Sequence, residues 1–224
     1  MISRVSLVEF GYSFNWLPNE GLLYKDTMKL DFKGARAMVI ASGIGRVAID
    51  LLAISEKLEV VANDICPKQL KLLEQTIQQF EPNCSRLTIE PGDAMAVLDN
   101  HVRTMNCIHV ANLLHFFDEK KMSDFIFKLS KTIKAFSDIY LFWQLNKDNQ
   151  IGSNNHTLNK VVEECSKNGL MIVKESSNRV INRSNKIKGV FVAYRSEQST
   201  SENQSYGPKN YFLKVVSSPL NNHT

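Results

Sequence analysis

Short, nearly uninterrupted apolar runs alternate along the chain with segments whose apolar residues recur every three or four positions. The runs are Ala37 to Ala41, Leu58 to Asp64, Arg86 to Glu90, Cys107 to Ala111 and Ile139 to Trp143. A strand covered on both faces reads as such a run, so these predict parallel strands with helices on either side of the sheet. Between them, Val47, Leu51, Leu52 and Ile54 share one helical face. Leu70, Leu73, Ile77 and Phe80 share another behind Pro67, a residue suited to the first helical turn. Phe125, Leu129, Ile133 and Phe136 make a third stripe, and Leu158, Val161, Val162 and Cys165 a fourth that Asn168-Gly169 stops.

The order is therefore strand then helix, five times over. Two further strands are predicted, Leu170 to Lys174 and Gly189 to Tyr194, with only a polar stretch between them. That stretch has no room for a helical crossover, so the two are expected to form an antiparallel hairpin. Five parallel units closed by a hairpin differ from a symmetric dinucleotide-binding fold, whose second half repeats the first. Ser196 to Asn210 is polar and reads as loop, whereas Tyr211 to Val216 is apolar enough for an extra edge strand or a packed tail.

Composition narrows the class without choosing a partner. A hydrophobic fraction of 43% and a charged fraction of 22% are those of an ordinary globular chain. The net charge of +4 is spread out, and the one basic cluster, Arg179 to Lys188, is no nucleic-acid stripe. Cys66, Cys84, Cys107 and Cys165 show no C-x-x-C pair and no histidine at ligand spacing, so no metal site is expected. Reduced thiols, no apolar run of membrane-spanning length and no signal-peptide pattern together read as a cytoplasmic protein.

The candidate chemistry sits where the predicted strands end. Ala41-Ser42-Gly43-Ile44-Gly45 joins the first strand to the first helix, where glycines admit close approach and the helix start offers N–H groups to an anion. The same residues satisfy a relaxed dinucleotide fingerprint, Gly43-x-Gly45-x-x-Ala48. Asp64 closes the second strand about 20 residues beyond the loop, where a carboxylate reaches both hydroxyls of a ribose; its simpler reading is a helix cap. Asp93, in Pro91-Gly92-Asp93-Ala94, is placed to accept from an adenine amine while the Ala94 N–H serves a ring nitrogen, and it too reads as a cap. Asn112 and His115 follow the fourth strand at the carboxyl edge, where open α/β sheets bind ligands. The pattern says adenosine ligand and leaves a nicotinamide oxidoreductase open.

Taken together these motifs resemble those of the class I S-adenosylmethionine (SAM)-dependent methyltransferases, particularly small-molecule members. The family's glycine motif is similar to Ile40–Gly45, its ribose acid to Asp64, its adenine acid to Asp93, its N-x-L-H-H-F motif to Asn112–Phe117 and its closing turn to Asn168-Gly169-Leu170. The resemblance runs from about Ala37 to Tyr194. It implies an α/β, Rossmann-like sheet of seven strands, with residues 36–197 as the SAM-binding domain, 1–35 as a lid or cap and 198–224 as a polar tail. It implies SAM as cofactor, held by Ala41, Ser42, Gly43, Gly45, Asp64, Ile65, Asp93, Ala94 and Asn112. His115 is then the candidate general base, the one motif-placed group that titrates near neutrality. Tyr12, Trp16 and Trp143 are the candidate substrate contacts. A small-molecule acceptor is expected, with protein or RNA as alternatives. Ala41 stands where the family has its first loop glycine and Val39 where it has an acid. These departures keep a non-catalytic interaction protein on the same fold as an alternative.

Overall fold

A computed structural model describes residues 30–81, 84–145, 156–179 and 209–217. Seven strands form one sheet in the order β3-β2-β1-β4-β5-β7-β6. These are β1 (Arg36–Ile40), β2 (Glu59–Asp64), β3 (Leu87–Pro91), β4 (Met105–Ala111), β5 (Ile133–Leu145), β6 (Leu170–Arg179) and β7 (Lys209–Ser217). The first five pair in parallel, and β7 runs antiparallel between β5 and β6.

Strand alternation builds two cores. On one face Met38, Ile40, Ile108, Val110, Ile139 and Leu141 pack under three helices, α3 (Ala94–Asp99), α4 (Glu119–Thr132) and α5 (Leu158–Lys167). On the other, Ala37, Val39, Val60, Ala62, Cys107, Tyr140 and Phe142 form a layer with α1 (Arg46–Ile54) and α2 (Pro67–Phe80). All five runs read from the sequence are thus strands, covered on both faces except at β3, the edge strand, whose residues are half-buried or exposed. Helix α2 starts with Pro67 at its first turn, where its missing N–H costs nothing.

Two expectations change. Among the described residues the partner of β6 is β7, inside the segment assigned to a polar tail; Gly189–Tyr194, the expected partner, lies outside the described residues. Tyr211–Val216 is therefore neither an edge strand nor a loose tail, because β7 is hydrogen-bonded on both sides. Its Val215 is fully buried, and strand partners are selected by such burial and by ladder completion rather than by closeness in sequence. The domain accordingly extends beyond residue 197.

The third helical stripe also ends early. Helix α4 stops at Thr132, and Ile133 and Phe136 belong to β5. The β4–β5 register slips between Met105↔Ile133 and Cys107↔Asp138. Within that bulge Phe136 takes a left-handed backbone and lies 72% exposed.

Candidate cofactor crevice at the carboxyl edge of the sheet

Asp64 is the hub on which three loops meet. Its carboxylate accepts the Gly43 N–H on Oδ2 and the Cys66 N–H on Oδ1, each at 2.8 Å, and its carbonyl accepts the Gly92 N–H at 3.0 Å. The neighbouring Asn63 carbonyl accepts the Ser42 N–H at 2.9 Å, and the Asn63 amide donates to the carbonyls of Glu90 and Gly92. These bonds bolt the glycine loop, the end of β2 and the Gly92-Asp93 turn into one edge. Asp64 is not the cap of α2, whose N-cap is Cys66 with no side-chain cap bond; its carboxylate instead ties the turn ahead of that helix, and it keeps lone pairs for a ligand hydroxyl.

The loop backbone is left-handed at three positions, Ala41 (φ 54°), Gly43 (φ 56°) and Gly45 (φ 85°). Glycine adopts this region freely, whereas alanine pays about 1–2 kcal/mol for it. Ala41 is therefore strained at the place where the resembled motif has glycine. Ala41→Gly is expected to raise stability by a net ~0.5–1 kcal/mol, after the extra chain entropy of glycine is subtracted. That is about 1–4 °C in Tm by calorimetry; a lower Tm would show that the loop tolerates the methyl group without strain.

Helix α1 begins on Gly45 with no side-chain cap and no acid in its first turn, an arrangement open to an anionic group. Among the described residues the Ser42 Oγ is buried with no hydrogen-bond partner, and so is the His115 Nδ1 in the turn after β4. Ile44, Ile65 and Phe116 expose large apolar side chains on these loops. Ile65 was marked by its place beside Asp64; Ile44 and Phe116 were not, because apolar residues in such runs read as core.

Asp93 caps α3, its Oδ1 accepting the Met95 N–H at 2.8 Å, so its simpler reading is realised. Ala94 opens that helix. The second oxygen of Asp93 lies 3.6 Å from the ammonium of Lys121, in the first turns of α4. Lys121 was invisible in the sequence: it is one of two consecutive lysines on a helix face, and only the packing of α4 against α3 brings it to Asp93.

Beyond β4, Asn112 takes a left-handed backbone (φ 55°) and donates its N–H to the Phe142 carbonyl at 2.9 Å, leaving its side chain exposed. His115 lies in a short 3₁₀ turn, Leu114–Phe116, its ring 4.2 Å from that of Phe116. Burial pulls its pKa below the ordinary 6.5, which keeps the imidazole neutral at neutral pH.

Trp143 corrects one expectation. It lies within β5, is 1% exposed and belongs to the core over which α4 and α5 pack, so it offers no face to a substrate. Its Nε1 donates to the His156 carbonyl at 2.8 Å, and the His156 Nε2 donates to the Phe117 carbonyl at 2.7 Å. Trp143 thereby braces the turn that carries His115. His156 was missed because nothing in its flanking residues marks it. Tyr12 and Trp16 lie outside the described residues. Among the described residues, no group of three or more His, Cys, Asp or Glu is placed to hold a metal, and no helix is long and apolar enough to cross a membrane.

No protein-family model matches the chain, and no curated protein matches it by sequence. Solved structures match closely in shape. A candidate sarcosine dimethylglycine methyltransferase from Galdieria sulphuraria aligns with 13% identity over 96% of this chain and 97% of its own, at a TM-score of 0.67. The magnesium protoporphyrin IX methyltransferase of Synechocystis PCC 6803, solved with bound SAM, aligns with 15% identity over 88% and 79% of the two chains, at 0.60. The cyclase SpnF aligns with 11% identity over 88% and 80%, at 0.62. The chain thus has the class I SAM-dependent methyltransferase fold, and its structural neighbours include methyltransferases of small molecules.

Proposed function

We propose that this protein binds SAM at the carboxyl edge of the sheet and transfers its methyl group to a small molecule. The observation that carries the reading is the triple engagement of Asp64 by Gly43, Cys66 and Gly92, which holds Asp64, the glycine loop and the Gly92-Asp93 turn along one edge of the sheet. Asp64 takes the ribose hydroxyls, Asp93 the adenine amine, and the loop backbone with the start of α1 the methionine carboxylate. Ile65 and the Ala94 N–H flank the purine, and Asn112 borders the methionine end. Bound SAM would supply an electrophilic methyl on a sulfonium, displaced in line by the acceptor.

The chain's own part is alignment and proton handling. His115, neutral at neutral pH, accepts the proton of an attacking hydroxyl or amine. Ile44 and Phe116 shield the reacting end from water. The neighbours' substrates, a porphyrin and a sarcosine or dimethylglycine class of amine among them, support a small-molecule acceptor.

Isothermal titration with S-adenosylhomocysteine (SAH), the demethylated product, tests the binding. Saturation is expected in the wild type, and Asp64→Asn is expected to weaken binding about 10–100-fold, the worth of charge-assisted hydrogen bonds. His115→Ala should keep SAH affinity and lose about 100-fold or more in turnover once an acceptor is found by a radiolabelled methyl screen. Stabilisation by NAD in place of SAH would overturn the reading. A second reading, ligand binding without methyl transfer, is favoured by Val39 and the strained Ala41, and by a cyclase on the same fold. SAH binding with no label transferred to any acceptor would select it.

A further inference from the structure

The ion pair between Lys121 and Asp93 has no part in the cofactor scheme above, yet it lies on the group assigned to adenine. Asp93 has two carboxylate oxygens. One is committed to the cap of α3, and the other faces the Lys121 ammonium at 3.6 Å. Lys121 is held from below as well: its ammonium stands 4.9 Å over the Phe117 ring, and its own N–H is fixed by the Asp118 carboxylate at 2.7 Å. The Phe117 carbonyl is in turn held by His156. A purine amine that donates to the outer oxygen of Asp93 must displace or share with this ammonium.

We propose that Lys121 is a specificity-determining gate on the adenine side of the crevice, closed on Asp93 until a purine enters. The proposal rests on the SAM-binding reading. Both partners are about half exposed, so the ion pair is weak enough to be opened by a ligand. While closed, it neutralises the carboxylate that would otherwise select a 6-amino purine. An ammonium at this position also donates to a 6-oxo group, which a carboxylate alone repels. The gate therefore relaxes the choice between amino and oxo purines at the expense of affinity for the amino form.

The test compares wild type, Lys121→Met and, as a neighbouring control, Lys120→Met by calorimetric titration with SAH and with S-inosylhomocysteine, its 6-oxo counterpart. Lys121→Met is expected to bind SAH about 2–5-fold more tightly, the fold-change a surface ion pair is worth. The preference for SAH over the oxo ligand is expected to widen in the same variant. In wild type, SAH affinity is expected to rise as salt screens the ion pair, and in Lys121→Met to lose this dependence. Lys120→Met should behave as wild type in all three readouts. Equal SAH affinity, equal purine preference and equal salt response in wild type and Lys121→Met would overturn the gate while leaving SAM binding intact. SAH binding by Lys121→Met alone would support a gate tighter than its exposure suggests. Failure of both proteins to bind SAH would overturn the cofactor reading and the gate with it.

Discussion

Gly45→Ala is expected to lower stability by about 2–5 kcal/mol, the largest effect of any single methyl group in the glycine loop. Two costs meet at this residue. Its backbone is left-handed, at φ 85°, which an L side chain adopts at about 1–2 kcal/mol. A Cβ there would also stand 2.2 Å from Leu73 Cδ1 and 2.7 Å from two further carbons of the same side chain. Leu73 is fully buried between α2 and the sheet, so it moves aside only by disturbing the core, at about 1–3 kcal/mol. Gly92, in the turn after β3, isolates the conformational term: its φ of 136° is one that L side chains rarely adopt, but it faces open space, so Gly92→Ala pays for conformation alone. Thermal unfolding of both variants, and of Gly45→Ala combined with Leu73→Ala, measures the split. If the double variant costs as much as the two single changes added, the clash with Leu73 is absent and the packing argument fails.

Acid is expected to destabilise the protein chiefly through one residue. His109 lies in the middle of β4, beside Val39 and Tyr140 in register, with its ring stacked 4.9 Å from Phe142. It is buried, and among the described residues neither ring nitrogen has a hydrogen-bond partner. Desolvation pulls its pKa from 6.5 down to about 3. The folded state therefore refuses a proton that the unfolded state accepts below 6.5. Stability contributed above that value is lost as pH falls through the window from 6.5 to about 3. At about 1.4 kcal/mol per pH unit, the loss by pH ~5 is about 2 kcal/mol, or roughly 4–8 °C in Tm. His109→Leu should remove this slope, and at neutral pH it should be no less stable, since two orphaned nitrogens leave with the ring. Parallel Tm–pH curves for wild type and variant would show that the acid sensitivity lies elsewhere.

Both residues show how far the chain could be read without coordinates. Strand runs, helical stripes and motif spacing located the five parallel units and the loops that follow β1 to β4, because periodicity and turn chemistry are local. Asp64 and Asp93 are legible as site or cap, and the fold makes Asp93 the cap of α3, whereas Asp64 holds the Gly43 and Cys66 N–H groups ahead of α2. His109 reads as one letter in an apolar run; its orphaned ring is a fact about neighbours from the two flanking strands.

Sequence alone was enough for the parallel α/β architecture, the glycine loop and the two acids, since each depends on residues close together along the chain. Tertiary structure decided which strand completes the sheet, drawing β7 from beyond a long connection to lie between β5 and β6. It also decided that Trp143 braces the core and that Lys121 pairs with Asp93. Such pairings are chosen by burial and by the need to satisfy backbone groups across distant segments, and no local pattern encodes them.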